Sequence, residues 1–409
     1  MLKGNAIVGQ SGGPTAAINA TLAGVIKGAF DSEVIDVLYG AFNGIEGILK
    51  RTVCVLNDVV KSEEDLDALA STPAAALGSC RKKLPDPDSG DEVYEILFEF
   101  FKERNIRYFF YIGGNDSMDT VAKLTKYALK TDYEIRVMGV PKTIDNDVAG
   151  TDHTPGFGSA AKYIAASMQE IIRDTAVYKV KAVTIVEIMG RDAGWLTAAA
   201  GLTGLFTDVK PDLIYLPEVP FDYEKYFEDV AAAFEDHPNV VVAISEGARL
   251  ADGTYLGASA QSGVTDVFGH AYLSGTGKAL EIATKERLGC KVRSVELNIL
   301  QRCASHIASD TDIKESLMIG SAAVDAAVGG TTGKMMVFER VSDDPYEVRP
   351  ASEDIDKIAN IVREVPRWFI NGRGNNVTEE CLRYIAPLIE GERAIKYKNG
   401  LPEHFVIKN

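Results

Sequence analysis

The sequence predicts an α/β fold of two Rossmann-like domains with mainly parallel sheets, followed by a C-terminal helical extension. Three observations carry that reading. Short β-branched runs alternate with amphipathic stretches along most of the chain, the pattern of parallel strands covered by helices on both faces. At 409 residues the chain exceeds one ordinary core. A glycine- and proline-rich break, "AGTDHTPGFGS", interrupts the alternation near residues 150–158. The expected division is therefore a first domain over 1–155, joined by part of 305–345, a second over 156–304, and an extension over 346–409.

The elements follow in order. "NAIVG" (5–9), "EVIDVLY" (33–39), "RYFFYIGG" (107–114) and "IRVMGV" (135–140) are the first strands, each rich in β-branched or aromatic residues. "VKAVTIVEI" (180–188), "DLIYLP" (212–217), "NVVVAISE" (239–246), "VRSVELN" (292–298) and "KMMVFER" (334–340) are the later ones. "AAINATLAGVIKGAF" and "DEVYEILFEFFKERN" have apolar residues at helical spacing. The last 70 residues, with "DDPYEVRPASEDIDKI", are expected to form a helical appendage and carry little readable chemistry.

Composition excludes several classes of function. With 46% hydrophobic and 25% charged residues the chain is globular and not disordered. A net charge of −16 opposes nucleic-acid binding, which depends on neutralising phosphates. No apolar run is long enough to span a bilayer, and "MLKGNAIVGQSGG" is unlike a signal peptide. Five scattered cysteines without CxxC spacing predict reduced thiols in a cytoplasm and no structural zinc. An acidic protein can still bind a small anion where cations gather locally.

In open α/β sheets, ligands collect at the carboxyl ends of the strands. Three motifs fall there. "GQSGGPTAAIN" (9–19) follows the first strand and opens a helix, so Gly12 and Gly13 allow a tight turn while backbone N–H groups face an anion. It is neither GxGxxG nor a Walker A sequence. "YIGGNDSMDT" (111–120) repeats the arrangement, with Asp116 and Ser117 either capping a helix or facing a ligand. "GVPKTIDNDVAG" (139–150) packs Lys142, Thr143, Asp145 and Asp147 into a compact loop after Pro141. Read alone, its acids are solvated turn residues. Three phosphate-compatible loops at successive strand ends favour an anion site instead.

Taken together, "SGG", "GGND", "PKTIDND" and "EIMGRDAGW" (187–195), in this order and spacing, resemble the phosphofructokinases. "AISEG" (243–247) and "NILQRC" (298–303) extend the resemblance, which covers roughly residues 4–340. It implies a phosphofructokinase-like fold, with the donor bound by 1–155 and fructose 6-phosphate by 156–304. Asp145 matches the family's general base, taking the proton of the sugar 1-hydroxyl; a carboxylate suits this when a loop holds it within hydrogen-bond reach. Thr143 and Ile144 would meet the phosphates, and Asp147 would orient the loop or a metal-bound water. Met189, Gly190 and Arg191 match the motif that receives the sugar phosphate, Glu246 its hydroxyl acceptor, and Arg302 its 6-phosphate ligand. Arg293 matches an arginine that often reaches in from a neighbouring subunit, which implies a homodimer or homotetramer. Arginine is apt because its planar fork meets phosphate oxygens in pairs.

The donor is read at two positions. Relatives that use ATP carry glycine where this chain has Asp116 and Lys142, so the resemblance points to the branch that uses inorganic pyrophosphate. An aspartate there occupies space and repels a nucleotide's α-phosphate, while a lysine supplies charge to the shorter donor. Gly78, Ser79, Arg81 and Lys82 of "LGSCRKK" add groups for donor oxygens. The implied reaction is reversible phosphorylation of fructose 6-phosphate at O1, giving fructose 1,6-bisphosphate and phosphate, in glycolysis and gluconeogenesis. The implied cofactor is Mg²⁺, which bridges phosphates through few protein ligands. Asn115 stands where many relatives have a metal-linked aspartate and is expected near the metal, through water. Three further departures are Ile299 for a histidine or tyrosine, Ala182 for a phosphate-binding arginine (with Lys181 beside it), and Ala23 for an effector-site arginine. The last opposes nucleotide allostery. The competing readings are an ATP-dependent phosphofructokinase, opposed by Asp116 and Lys142, and a dinucleotide oxidoreductase, opposed by the missing GxGxxG. A catalytically silent sugar-phosphate sensor is opposed by the intact Thr143–Asp145–Asp147 set.

Overall fold

The computed structural model describes residues 2–260 and 275–408. Strands β1 (Gly4–Gln10), β2 (Ile35–Ala41), β3 (Val53–Val55), β4 (Ile106–Gly113) and β5 (Arg136–Pro141) build one sheet. β6 (Ala182–Ile188), β7 (Leu213–Tyr215), β8 (Asn239–Ser245) and β9 (Lys291–Glu296) build a second, after which β10 (Lys334–Asp343) and β11 (Tyr346–Asp354) return to the first. All nine strand stretches read from the sequence form strands, with shifts at their ends.

The first sheet has the order β11-β10-β5-β4-β1-β2-β3 and the second the order β7-β8-β6-β9. Every pair is parallel except β2 with β3 and β10 with β11, so the α/β reading with mainly parallel sheets holds. Parallel strands need helical crossovers, and these cover both faces of the first sheet. On one face, helix Ile18–Asp31 packs on helix Asp310–Val328. The contact is backbone-close: a Cβ on Gly24 would lie 2.1 Å from the Leu317 carbonyl oxygen, and one on Gly320 2.3 Å from that of Thr21. The opposite face is covered by helix Val93–Glu103, whose Val93, Tyr94, Leu97, Phe98, Phe100 and Phe101 are buried while Glu95 and Glu99 face solvent.

The expected C-terminal helical extension is corrected. Its first nine residues are β11, paired antiparallel along β10 and completing one edge of the first sheet. The rest is mostly irregular, with one α-helix, Glu379–Ile385, short 3₁₀ turns and a small hairpin. The misreading has a physical cause. An edge strand exposes alternate residues, so "YEVRPASED" looks polar although backbone pairing, not apolar burial, fixes it.

All five cysteines are unpaired. No helix among the described residues is long and apolar enough to cross a membrane.

Candidate active site

Because β1, β4 and β5 are parallel neighbours, their carboxyl ends emerge along one edge, with Gln10 opposite Ile112 and Gly113 opposite Pro141. The three loops are then stitched together. Ser11 N–H donates to the Ile112 carbonyl (2.9 Å), Lys142 N–H to that of Gly113 (3.0 Å), and Gly12 N–H to that of Cys80 (3.1 Å). Ser79 Oγ donates to the Gly12 carbonyl at 2.6 Å, bringing 78–82 to the same place. Gly12 has a φ of +77°, and a Cβ there would lie 3.2 Å from Lys142 Nζ. On Gly13 a Cβ would lie 3.4 Å from Arg302 Nη1. The two glycines thus leave room for two cations.

Lys142 is buried and its Nζ donates to the Gly13 carbonyl at 2.6 Å. Burial lowers its pKa to about 8, against the pull of Asp145, whose charge favours the ammonium. Thr143 Oγ1 donates to Asp145 Oδ2 (3.0 Å) and accepts from Asp145 N–H (3.2 Å), which fixes the carboxylate in the turn. Asn146 follows at a φ of +54°, a conformation asparagine tolerates better than most residues. Its amide oxygen accepts from Thr154 N–H at 3.1 Å. Burial raises the pKa of Asp145, opposed by the Thr143 hydroxyl; burial and then the nearby charge of Asp145 bring Asp147 to about 7. Two acids and an ammonium therefore share one desolvated loop.

That loop faces a cleft of about 410 Å³ between the two sheets. From the first sheet come Gly12, Gly13, Arg81, Asn115, Asp116, Lys142, Thr143, Asp145 and Asp147; from the second come Arg191 and Glu246. An adjoining hollow of about 560 Å³ is lined by Gly12, Gly13, Ser79, Arg81, Lys82 and Arg302. Asp116 lies in the first turn of helix Asn115–Ala128 without capping it, and pairs with Lys83 at 3.6 Å. Glu246 Oε1 accepts from Gly190 N–H at 3.3 Å, and burial raises its pKa to about 8. Met189 N–H donates to Gln301 Oε1 at 3.2 Å. Met189 and Gly190 thus shape the backbone beside the cleft without lining it.

Other expected residues lie elsewhere. Ile144 packs into the core beneath the loop. Arg293 projects from edge strand β9 into a separate groove with Asp174, Thr175 and Tyr178. Ile299 is exposed, Lys181 lies 5.0 Å over the Phe234 ring, and Ala23 is buried in the helix–helix contact. Sequence reading missed Ser11, Asp192, Asn360 and Val362, which also line the cleft. Ser11 and Asp192 adjoin quoted motifs; Asn360 and Val362, nearly 220 residues after Asp145, carry no local signal.

A divalent cation fits this cleft in one specific way. Among the described residues no cluster of three or more His, Cys, Asp or Glu side chains is placed to hold a metal. Asn115 Oδ1, however, is buried without a hydrogen-bond partner, and Asn115 lines the same cleft as Asp145 and Asp147. Few protein oxygens and room for water suit Mg²⁺ better than a caged ion.

A family model described as phosphofructokinase matches residues 5–327. A Halomonas elongata protein named pyrophosphate–fructose 6-phosphate 1-phosphotransferase is 41% identical, over 98% of this chain and 96% of its own length. One of the same name from Xanthomonas campestris pv. campestris is 43% identical, over 100% and 97%. The crystal structure of a pyrophosphate-dependent phosphofructokinase from Nitrosospira multiformis superposes with a TM-score of 0.88 at 38% identity, covering 98% of this chain and 95% of that one.

Proposed function

The chain belongs to the phosphofructokinase family, and on that premise we propose that it transfers a phosphoryl group from inorganic pyrophosphate to O1 of fructose 6-phosphate. The products are fructose 1,6-bisphosphate and phosphate, and the reaction runs in both directions. The observation that carries this reading is the loop Lys142–Asp147, which holds an ammonium and a hydroxyl-braced carboxylate in one cleft facing both sheets.

Phosphoryl transfer mostly requires alignment and charge stabilisation. Asp145, ionised, takes the proton of the 1-hydroxyl as that oxygen bonds to the nearer phosphorus. The bridging P–O bond breaks, and phosphate departs toward Lys142, Arg81 and Lys82. Thr143 braces the Asp145 carboxylate in the free site, and its single O–H would turn to a phosphate oxygen once pyrophosphate is bound. Asp116 and Lys142 select the short donor: the first crowds and repels an α-phosphate, the second binds the pyrophosphate. Arg191 and Glu246 hold the sugar. Arg302 takes the acceptor's phosphate ester, and its place beside Gly13 brings it within reach of donor oxygens as well. Mg²⁺, when bound near Asn115 and Asp147, would neutralise phosphate charge. Arg293, exposed on β9, would serve the acceptor site of a second copy, which favours a homodimer or homotetramer in the cytoplasm.

The test is a coupled assay in both directions with purified protein. Fructose 1,6-bisphosphate should form from fructose 6-phosphate and pyrophosphate, and pyrophosphate from fructose 1,6-bisphosphate and phosphate. Absence of turnover with pyrophosphate, in a sample that melts cooperatively, overturns the reading.

A further inference from the structure

Residues beyond the family-model match reach the cleft from behind. Val362 bridges Val148 antiparallel, and Arg363 N–H donates to the Asp147 carbonyl at 2.7 Å, so residue 363 is tied to the end of the reactive loop. Its own carbonyl accepts from Trp195 Nε1–H at 2.9 Å, which ties it equally to the "MGRDAGW" loop of the second sheet. Two residues on, Val365 N–H and Gly194 N–H share Glu218 Oε1, each at 2.8 Å. One short stretch is therefore hydrogen-bonded to both loops that flank the cleft.

Its side chains continue the bracing. The Arg363 guanidinium donates to the Asp152 carbonyl (2.5 Å) and to the Tyr384 hydroxyl (3.1 Å), and lies 4.5 Å over the buried Trp195 ring. The same Tyr384 hydroxyl accepts from Asn146 Nδ2 at 3.2 Å and donates to the Asp152 carbonyl at 2.5 Å. Asn146 stands between Asp145 and Asp147, so its backbone angle sets where both carboxylates point. With Thr154 holding its amide oxygen and Tyr384 its amide nitrogen, the positive φ is locked from both ends.

We infer that Arg363 and Tyr384 are positioning residues for phosphoryl transfer: they fix the Asp145 loop against the acceptor-side loop and hold Asn146 in its turn. Neither lines the cleft: Arg363 is bonded to Asp147, which does, and Tyr384 acts on Asn146, which stands between two residues that do. A shift of about 1 Å at a reacting group can cost on the order of 10²-fold in rate, so a strut of this kind has kinetic consequences without touching substrate. The inference rests on Asp145 being the general base.

The experiment compares kcat and KM for both substrates in Tyr384→Phe and Arg363→Lys. The first removes only a hydroxyl; the second keeps the charge but cannot span Asp152 and Tyr384 together. Each should lower kcat about ten- to a hundred-fold with little change in either KM. Each is then rebuilt in an Asp145→Asn background, where the further loss should nearly vanish because the base is already gone. Should Tyr384→Phe lose its cooperative melt, Arg363→Lys carries the same test. Unchanged kcat in both variants, with Asp145→Asn inactive, overturns the positioning role alone. A loss that persists undiminished in the Asp145→Asn background overturns it too, since the effect then bypasses Asp145. Full activity in Asp145→Asn instead sinks the proposed base.

Discussion

The two sides of the cleft are built differently. On the side of the first sheet, four loops contribute side chains, with Lys142, Arg81 and Lys82 beside Gly12 and Gly13, while Arg302, from the helix after β9 of the second sheet, reaches the same place. Its central loop is buried and shifts the pKa values of three groups at once. On the side of the second sheet, the cleft receives Arg191, Asp192 and Glu246, Met189 and Gly190 act through the backbone, and Arg293 points into another groove. Under the proposed function, one chain carries a nearly complete donor end, whereas its acceptor end draws on fewer side chains. In that proposal, concentrated cations at one end would suit a small, highly charged donor, and fewer at the other a sugar monophosphate.

The strongest challenge to this comparison removes the group that both ends share. Asp145→Asn should cut kcat by about 10²–10⁴-fold, the usual range for a lost general base, while fructose 6-phosphate still binds in a direct titration. A rise in KM with kcat retained would make Asp145 a ligand-positioning group. Next in size is Arg302→Ala, expected to raise KM for fructose 6-phosphate much more than KM for pyrophosphate. Losing one partner of a closed-site charge-assisted bond costs about 2–5 kcal/mol. Equal weakening of both substrates would assign Arg302 to the donor end, beside Gly13, and make the acceptor end sparser still.

A smaller effect sharpens the contrast through pH. Lys142 binds anions only when protonated, and burial has brought its pKa down to about 8. Because the protonated form is lost as pH rises, kcat/KM for pyrophosphate should fall through about pH 8. Titration of kcat/KM against pH reads it directly, since that ratio reports the free enzyme. A flat profile up to pH 10 would remove Lys142 from donor binding.

The donor end was the more legible in the sequence, for a physical reason. Three of its four loops follow strands that the β-branched runs locate, and each keeps its functional residues within about a dozen positions, so spacing along the chain reflects spacing in the fold. The acceptor motif "MGR" was equally visible, yet position in a motif did not say whether a residue lends its side chain or its backbone, as Met189 and Gly190 illustrate. Ile144 illustrates the same limit from inside the reactive loop, because its side chain turns to the core. What could not be read was the contribution of 360–384. Asn360 and Val362 line the cleft, and Val362, Arg363 and Tyr384 are tied to it through tertiary contacts with residues 146–152 and 195. No periodicity records such contacts; the return of the chain near 305–345 is expected from the sequence, but the polar edge strand β11 that follows reads as helical.

The central claim is that the donor end is built for pyrophosphate, and one comparison of kcat/KM for pyrophosphate and ATP, with fructose 6-phosphate as acceptor, tests it. The assay runs on wild type, Asp116→Gly, Lys142→Gly and the double variant. The account predicts turnover with pyrophosphate and none measurable with ATP in wild type. Asp116→Gly should shift the ratio toward ATP by relieving crowding and repulsion. Lys142→Gly should cut pyrophosphate turnover with little gain for ATP, and the two changes should be non-additive because they act on one pocket. Dominant ATP activity in wild type, or an unchanged donor ratio in Asp116→Gly, would contradict it.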